Sequence, residues 1–285
     1  MQNGESYRMN TTMKKVRKAK AGALFMFAPY FAAMLFCGLI PLVVAIREVA
    51  NPSWINTKGS YTTIYRILGD FRVIPALAHT AFLLAIFVPA MIIVVLSVSL
   101  LLDATPMRGN TFMRLIFLLP GIVSGGIATL IWTSLLGPNI QWNGSNIRWL
   151  IGGISFSTGI GSWIVIQYGS LRSISQEVLE AARVDGCNRL QLAVRIKLPM
   201  ISRYIGYMTI LLVAGAIQIY TEPTLLMSTG FTTDWSLSQV AYSYAFRTGD
   251  FAGGTALSLD MLVPNIILGI IFVWKTDFLK RGERH

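Results

Sequence analysis

Six long apolar stretches constrain what this chain can fold into more than any other feature of its sequence. They lie at about 21–46, 75–102, 112–136, 149–171, 204–227 and 255–274. About 20 apolar residues make a helix long enough to cross the hydrocarbon core of a bilayer. Charged residues are 13% of the chain, about half of the share found in an ordinary soluble domain. The sequence therefore predicts an all-α, polytopic membrane protein with six transmembrane helices.

The lysines and arginines predict how these helices are oriented. Eighteen of them fall before the first stretch, after the sixth, between the second and third, and between the fourth and fifth, and six fall in the other segments. Because Lys and Arg concentrate in cytoplasmic loops, both termini are expected in the cytoplasm. Residues 1–20 are then a basic cytoplasmic segment, 21–274 the transmembrane domain and 275–285 a cytoplasmic tail. The net charge of +11 follows from this orientation and does not indicate nucleic-acid binding.

The segment 173–199, between the fourth and fifth stretches, begins with the signals of a short helix. Ser173 and Gln176 stand at the spacing of a capping box, which predicts that the helix begins there. Gly186 is placed to end it in a left-handed conformation.

A second short helix is predicted over about 189–196, and Leu198-Pro199 is expected to stop it, since the residue before a proline disfavours helical angles. From these signals alone the segment is either an ordinary basic loop or a docking surface that fits a groove on a soluble partner.

The same segment resembles the EAA motif of ABC importer permeases, Glu-Ala-Ala-x3-Gly-x9-Ile-x-Leu-Pro. The matching residues are Glu180, Ala181, Ala182, Gly186, Ile196, Leu198 and Pro199. With Asp185 before the glycine, the sequence Ala-Ala-x-x-Asp-Gly resembles the sugar-uptake branch of the family in particular. Further similarities cover most of the chain, at His79-Thr80, Arg114, Leu119-Pro120, Ile131-Trp132, Phe246 and 255–258. The chain departs from the family where Ser175 stands in place of a frequent proline.

The resemblance implies a type I ABC importer permease fold and the first permease subunit of a maltose-type heterodimeric pair. In that family the EAA loop, here 173–199, is the coupling helix that docks on the ATP-hydrolysing subunits. The implied partners are a second homologous permease, two ATP-binding subunits, an extracytoplasmic binding protein, a sugar substrate and the lipid bilayer. The implied function is ATP-driven import of a sugar or oligosaccharide through the cytoplasmic membrane of a bacterium or archaeon.

Enzymatic chemistry has no support in the residues. The chain has no Gly-x4-Gly-Lys-Ser/Thr phosphate loop, so ATP and Mg²⁺ are expected on the partner subunits and no cofactor on this chain. It has two histidines and two cysteines, and it contains neither a Ser-His-Asp nor a His-Glu-x-x-His pattern. We therefore expect no catalytic residue, metal site or disulfide framework.

Polar residues inside the fourth, fifth and sixth stretches are candidates for the substrate path, because polar groups in a span are costly and usually face a cavity. The candidates are Gly159, Ser162, Gln218, Tyr220, Glu222 and Asp260. Gln218 and Glu222, four residues apart, are expected to share a helix face. The alternative for these residues is a role in helix packing. For Glu222 and Asp260 it is a position at the outer membrane interface.

Two other transport functions stay open. A permease for glycerol 3-phosphate or a polyol belongs to the same family, but a phosphate favours Arg or Lys in the cavity, and no span has either near its centre. A secondary transporter often shows two inverted halves with matching broken helices, and no such internal repeat is visible. An intramembrane enzyme would need paired catalytic groups at one depth, which are also absent.

Overall fold

The computed structural model describes residues 26–50, 62–104, 116, 119, 123, 125–136, 146–227 and 234–275. All regular secondary structure in these ranges is helical. In chain order the helices are α1 (Met26–Ala50), α2 (Thr63–Leu68), α3 (Val73–Ala104), α4 (Gly125–Leu136), α5 (Asn146–Arg172), α6 (Gln176–Val184), α7 (Arg189–Gln191, continued by Leu192–Lys197 and Leu198–Met200), α8 (Ser202–Ile217), α9 (Thr221–Met227), α10 (Leu237–Tyr242, continued by Ser243–Arg247) and α11 (Phe251–Lys275). The basic segment 1–20, the tail beyond 275 and most of 105–124 lie outside the described residues.

Five helical runs in the described ranges are long and apolar enough to cross a bilayer: α1, α3, α5, α8 with α9, and α11. They coincide with five of the six predicted stretches. Helix α4 has 12 residues, is apolar, and lies in the second half of the third stretch. The predicted fold class, an all-helical polytopic membrane protein, is confirmed. We call the end of the molecule that holds 173–199 the inner end, which the charge distribution predicts to be cytoplasmic.

Within the part of the chain that the structure describes, buried apolar side chains form three clusters. The central cluster joins α3, α5 and α8 around the fully buried Met91, Ile154 and Met208. The outer cluster joins α2, α3, α10 and α11 around Ile67 and Val240. The inner cluster packs α6 and α7 against the ends of α5 and α8. Apolar side chains on α1 and on the second half of α11 are mostly exposed, as expected for helices that contact lipid or another membrane subunit.

The fifth predicted span is broken, which the sequence analysis did not expect. Helix α8 ends at Ile217, residues 218–220 are not helical, and α9 begins at Thr221. Pro223 explains the break: in a continuous helix its ring would collide with the carbonyl of Ile219, and it has no N–H to bond that carbonyl. The break lies 16 residues into the span, or about 24 Å along a helix that rises 1.5 Å per residue.

Thr224 makes the first backbone hydrogen bond of α9 and adds a side-chain hydrogen bond to the same carbonyl group. Its backbone N–H and its hydroxyl donate to the carbonyl of Tyr220 at 3.1 and 2.6 Å. Because the helix is interrupted, the prediction that Gln218 and Glu222 share a face through helical spacing is wrong. Both residues nevertheless line one cavity, which is described below.

Helix α9 packs closely on α4 through two adjacent glycines. A Cβ atom at Gly125 would lie 2.4 Å from Oε1 of Glu222, and one at Gly126 would lie 3.3 Å from Cδ1 of Leu225. The first distance is far below any normal contact, so only glycine at position 125 lets the Glu222 carboxylate occupy its place.

An ionic network closes the outer end of the molecule. Asp70, between α2 and α3, accepts hydrogen bonds from Nη2, Nε and the backbone N–H of Arg72 at 2.8, 3.1 and 2.8 Å. Tyr244 of α10 donates its hydroxyl to the same carboxylate, and the Arg72 guanidinium lies 4.8 Å from the centre of its ring. Arg66 pairs with Asp250 at 2.7 Å and ties α2 to the start of α11.

This network sets the protonation of its members. Hydrogen bonds from Arg72, with a further one from Tyr244, hold the pKa of Asp70 well below its usual range. Burial and the hydrogen bond to Asp70 raise the pKa of the Tyr244 hydroxyl. The tyrosine therefore stays a donor and the aspartate stays an acceptor at all ordinary pH values.

We expect Asp70→Asn to lower the free energy of unfolding by about 1.5–3 kcal/mol at neutral pH, the usual worth of hydrogen bonds to a charged group. A carboxylate whose folded pKa is depressed stabilises the protein above its unfolded pKa, about 3.9, and loses that contribution as the pH falls. The difference between wild type and variant should be constant from about pH 8 to 5 and shrink below about pH 4. Thermal unfolding of the detergent-solubilised protein measures it, with exposed Asp185→Asn as the control. A difference that already disappears by pH 6 would contradict the assignment.

We expect Gly125→Ala to destabilise the protein by about 1–3 kcal/mol, the usual cost of overpacking, because the new methyl group displaces the Glu222 carboxylate. In the double variant with Glu222→Ala the cost of the glycine substitution should be smaller. Gly153→Ala is the matched control, since a Cβ there meets no atom within 4 Å. Additive effects of the two substitutions would show that the predicted contact is not made.

Candidate functional site

A cavity of about 350 Å³ lies between α3, α5 and the break that follows α8. The break provides one wall, from Gln218 through Glu222, and α5 provides Thr158, Gly159 and Trp163. Non-helical backbone at membrane depth is tolerated only where it is covered by protein or lines a cavity. The break in the fifth span and the cavity are therefore parts of one feature.

Four of the six residues predicted for the substrate path line this cavity: Gly159, Gln218, Tyr220 and Glu222. Gly159 lets the Met91 side chain of α3 pack close to α5, because a Cβ atom at position 159 would lie 3.0 Å from Cε of Met91.

The other two predicted residues do not line it. Ser162 is half-buried on α5 outside the cavity wall. Asp260 lies on α11, which packs on α1, α8 and α10 and the outer cluster. Within the described residues, its Oδ2 is buried with no hydrogen-bond partner. The assignment of Ser162 and Asp260 to the substrate path stays a prediction.

The wall formed by α3 was missed by the sequence analysis. Leu83, Phe87 and Met91 line the cavity and follow one another at spacings of four, which places them on one face of α3. Leu83–Phe87 is a π-helical turn, a wider turn that is frequent at functional sites. These residues are apolar, so a search for polar groups inside spans could not find them.

The cavity is suited to a polar molecule that also has apolar surface. The side chain of Gln218 is exposed to it, and Glu222, Tyr220 and Trp163 add a carboxylate and two aromatic rings. A few fixed polar groups in a mostly apolar wall are typical of small-molecule sites. Among the described residues no group of three or more His, Cys, Asp or Glu could hold a metal ion.

The second candidate region is the knob, residues 176–200, at the inner end. Its corner is formed by Gly186, which has φ +82°. The N–H groups of Gly186 and Cys187 donate to the carbonyls of Arg183 and Ala182 at 3.0 and 3.1 Å, the two bonds of a Schellman motif. The predicted left-handed end of the first helix is confirmed.

The starts of the two knob helices differ from the prediction. Ser175 is the N-cap of α6, and the hydroxyl of Ser173 donates to the carbonyl of Ser170, so the capping box predicted at 173–176 is wrong. A capping box occurs at α7, where Asn188 and Gln191 each accept from the other's backbone N–H, at 2.8 and 3.0 Å.

Pro199 does not stop the second helix. The π-helical turn Leu192–Lys197 leads into Leu198–Met200, and the chain leaves the helical conformation only at Ile201. The wider turn lets Leu198 donate its N–H to the carbonyl of Ala193, five residues back. The proline then stands at the start of a new helical turn, where its missing N–H costs little.

The knob has an inward and an outward face. Leu179, Ala182 and Leu192 are buried in the inner cluster. On the outward side Val184 is 88% exposed and Leu190 73% exposed. Of the other predicted coupling residues, Ile196 and Leu198 are half-buried and the rest are exposed: Glu180, Ala181, Asp185, Gly186 and Pro199.

The chain is similar to curated permease proteins over nearly its whole length, although no family model matches it. It is 24% identical to the multiple sugar-binding transport system permease protein MsmF of Streptococcus mutans, with 95% of this chain and 99% of the relative covered. It is 23% identical to AmyD of Thermoanaerobacterium thermosulfurigenes, a probable starch degradation products transport system permease protein, with 93% and 97% covered.

The fold is that of a solved ABC importer. A chain in the crystal structure of a bacterial alginate ABC transporter, in complex with an alginate pentasaccharide-bound periplasmic protein, superposes with a TM-score of 0.65. The two chains are 18% identical, with 90% of this chain and 93% of the other covered. This chain is therefore a multi-pass membrane protein that is similar to the permease proteins MsmF and AmyD over nearly its whole length and has the fold of a chain of a solved ABC importer.

Proposed function

We propose that this chain is one permease subunit of a binding-protein-dependent ABC importer that moves a sugar or oligosaccharide into the cell. The relatives are permeases of sugar-binding and starch-product systems, and the transporter of similar fold is complexed with a pentasaccharide-bound periplasmic protein. The observation that carries the proposal is the knob, which folds the motif residues Glu180 to Pro199 into a compact, outward-facing surface.

The knob is proposed to dock on the ATP-hydrolysing subunits. Its outward face combines exposed apolar side chains, Val184, Leu190 and Val194, with exposed charges such as Glu180 and Arg183. A clustered apolar surface with a polar rim marks an interaction site, and short helices commonly fit a groove on a partner. A second permease subunit, two ATP-binding subunits and an extracytoplasmic binding protein complete the proposed assembly.

The knob is joined firmly to the spans that carry the cavity. It follows α5 directly, and Ile201 at the start of α8 belongs to the same buried cluster as Leu171 at the end of α5. At this end of α5 the amide of Gln167 donates to the carbonyl of Tyr204 on α8 at 3.1 Å. Movement of the knob with the ATP-binding subunits would therefore carry α5 and α8 along. ATP would then bias a two-state equilibrium between inward-open and outward-open forms.

The cavity favours a neutral sugar over an anion such as glycerol 3-phosphate. Among the described residues of its wall, the charged side chain is Glu222, a carboxylate, and there is no Lys or Arg. The Glu222 carboxylate would repel a phosphate group, and binding a phosphate would require a Lys or Arg side chain. The amide of Gln218 can bond hydroxyl groups, and Tyr220 and Trp163 offer aromatic faces to the C–H surface of a sugar ring.

Purification through a tag on this chain tests the docking proposal. We expect ATP-binding subunits to co-purify with wild type and with Gly186→Asn, because Asn tolerates the left-handed conformation. Gly186→Val should reduce co-purification and transport, since a β-branched residue at φ +82° costs about 1–2 kcal/mol. Gly169→Ala, where a Cβ meets no atom within 4 Å, is the control. If wild type brings down no ATP-hydrolysing protein, the proposal is wrong.

Gln218→Ala should reduce sugar uptake at least tenfold, about the effect of one lost hydrogen bond of 1.4 kcal/mol, without changing assembly. The measurement uses the complex in proteoliposomes, with receptor-dependent ATPase stimulation by a panel of neutral sugars, oligosaccharides and glycerol 3-phosphate. Asn265→Ala on α11 removes an amide outside the cavity and is the matched control. Stimulation by glycerol 3-phosphate alone would favour the alternative substrate.

A further inference from the structure

A buried ion pair joins the knob to the third helix of the structure, and no function discussed so far uses it. Lys197 of α7 donates to Oδ2 of Asp103, near the inner end of α3. The side chains are 11% and 7% exposed, so the pair is almost completely removed from solvent. Charges are rarely buried without a partner, because each loses several kcal/mol of hydration.

The ion pair is one part of a continuous contact between the knob and α3. Leu96 and Leu100 of α3 pack against the inner cluster that holds the knob's Leu179 and Leu192. Leu96, Leu100 and Asp103 are spaced at i, i+4 and i+7, so they lie on the same face of α3. The charged contact therefore extends an apolar one and fixes its register.

Helix α3 also forms a wall of the cavity. From Val88 to Ala104 it is a regular α-helix of 17 residues, which is about 25 Å long at 1.5 Å per residue. Met91, near its start, lines the cavity, and the π-helical turn Leu83–Phe87 lies just beyond. A regular helix thus connects the ion pair at the inner end directly to the cavity wall.

We propose that the Asp103–Lys197 ion pair transmits movement of the knob to α3 and thereby to the wall of the cavity. Helices α5 and α8 follow the knob through the chain itself, whereas α3 has no covalent link to it. The ion pair connects α3 to the knob noncovalently. The cavity walls formed by α3, α5 and α8 would then move together. The inference rests on the proposed function, and it assigns Lys197 and Asp103 as positioning residues.

The test measures ATP-dependent change at the cavity and needs no known substrate. Cys37 and Cys187 are replaced by serine, and Gly215, which lines the cavity and where a Cβ meets no atom within 4 Å, is replaced by cysteine. The tagged complex is purified with its ATP-binding subunits. The rate of labelling by a water-soluble maleimide is compared before and after trapping with ATP and vanadate.

In the otherwise unchanged complex we expect trapping to alter the labelling rate several-fold. Lys197→Met should retain ATP hydrolysis but remove most of this change, and the charge exchange Asp103→Lys with Lys197→Asp should restore it at least in part. Arg172→Met, which removes an exposed cation at the end of α5 and outside the knob, is the control and should behave like the parent.

The outcomes separate this inference from the proposed function. If Lys197→Met lowers thermal stability but leaves the ATP-dependent change in labelling intact, the pair is only structural and the inference is wrong. If the parent complex contains no ATP-binding subunit, the proposed function itself fails. If Lys197→Met does not fold, the charge-exchange variant still decides, since a stable exchange variant without ATP-dependent labelling would overturn the inference.

Discussion

The requirement that every backbone N–H and C=O inside a membrane find a hydrogen-bond partner controls this structure. It explains why all regular elements in the described ranges are helices and why the five long ones are apolar on nearly all sides. It also explains where the chain can depart from helical structure. Backbone that leaves the helical conformation at residues 218–220 needs either protein cover or a polar cavity, and here it borders the cavity that α3 and α5 complete. Pro223 fixes the position of that exception in the sequence.

Two groups of charged residues hold the ends of the bundle in different ways. At the outer end Asp70, Arg72 and Tyr244 fasten the short helices before α3 and α11 to each other. At the inner end Asp103 and Lys197 join α3 to the knob. Between them the central cluster is apolar. The charged contacts at the two ends add directional constraints to the apolar packing between the helices.

Much of the fold follows from the sequence because length and hydropathy directly report on helices that cross a bilayer. The corner at Gly186 was also predictable, because a glycine just after a helix commonly adopts the left-handed conformation that ends the helix. Other features depend on tertiary structure. The break at residues 218–220 needs both Pro223 and a cavity to tolerate it, and the α3 wall consists of Leu83, Phe87 and Met91, which resemble any lipid-facing residues. Ser162 and Asp260 are polar residues in spans that face elsewhere, so polarity alone cannot assign a side chain to the cavity.

The central claim is that the knob is the contact through which an ATP-hydrolysing partner acts on the spans. The most direct measurement places a photo-crosslinking amino acid at Val184, the exposed corner residue, in the native membrane and identifies the attached protein by mass spectrometry. The account predicts a crosslink to an ATP-binding subunit whose yield changes when ATP is trapped. A crosslink to an extracytoplasmic protein, or modification of position 184 by a reagent confined to the outside of the cell, would contradict it.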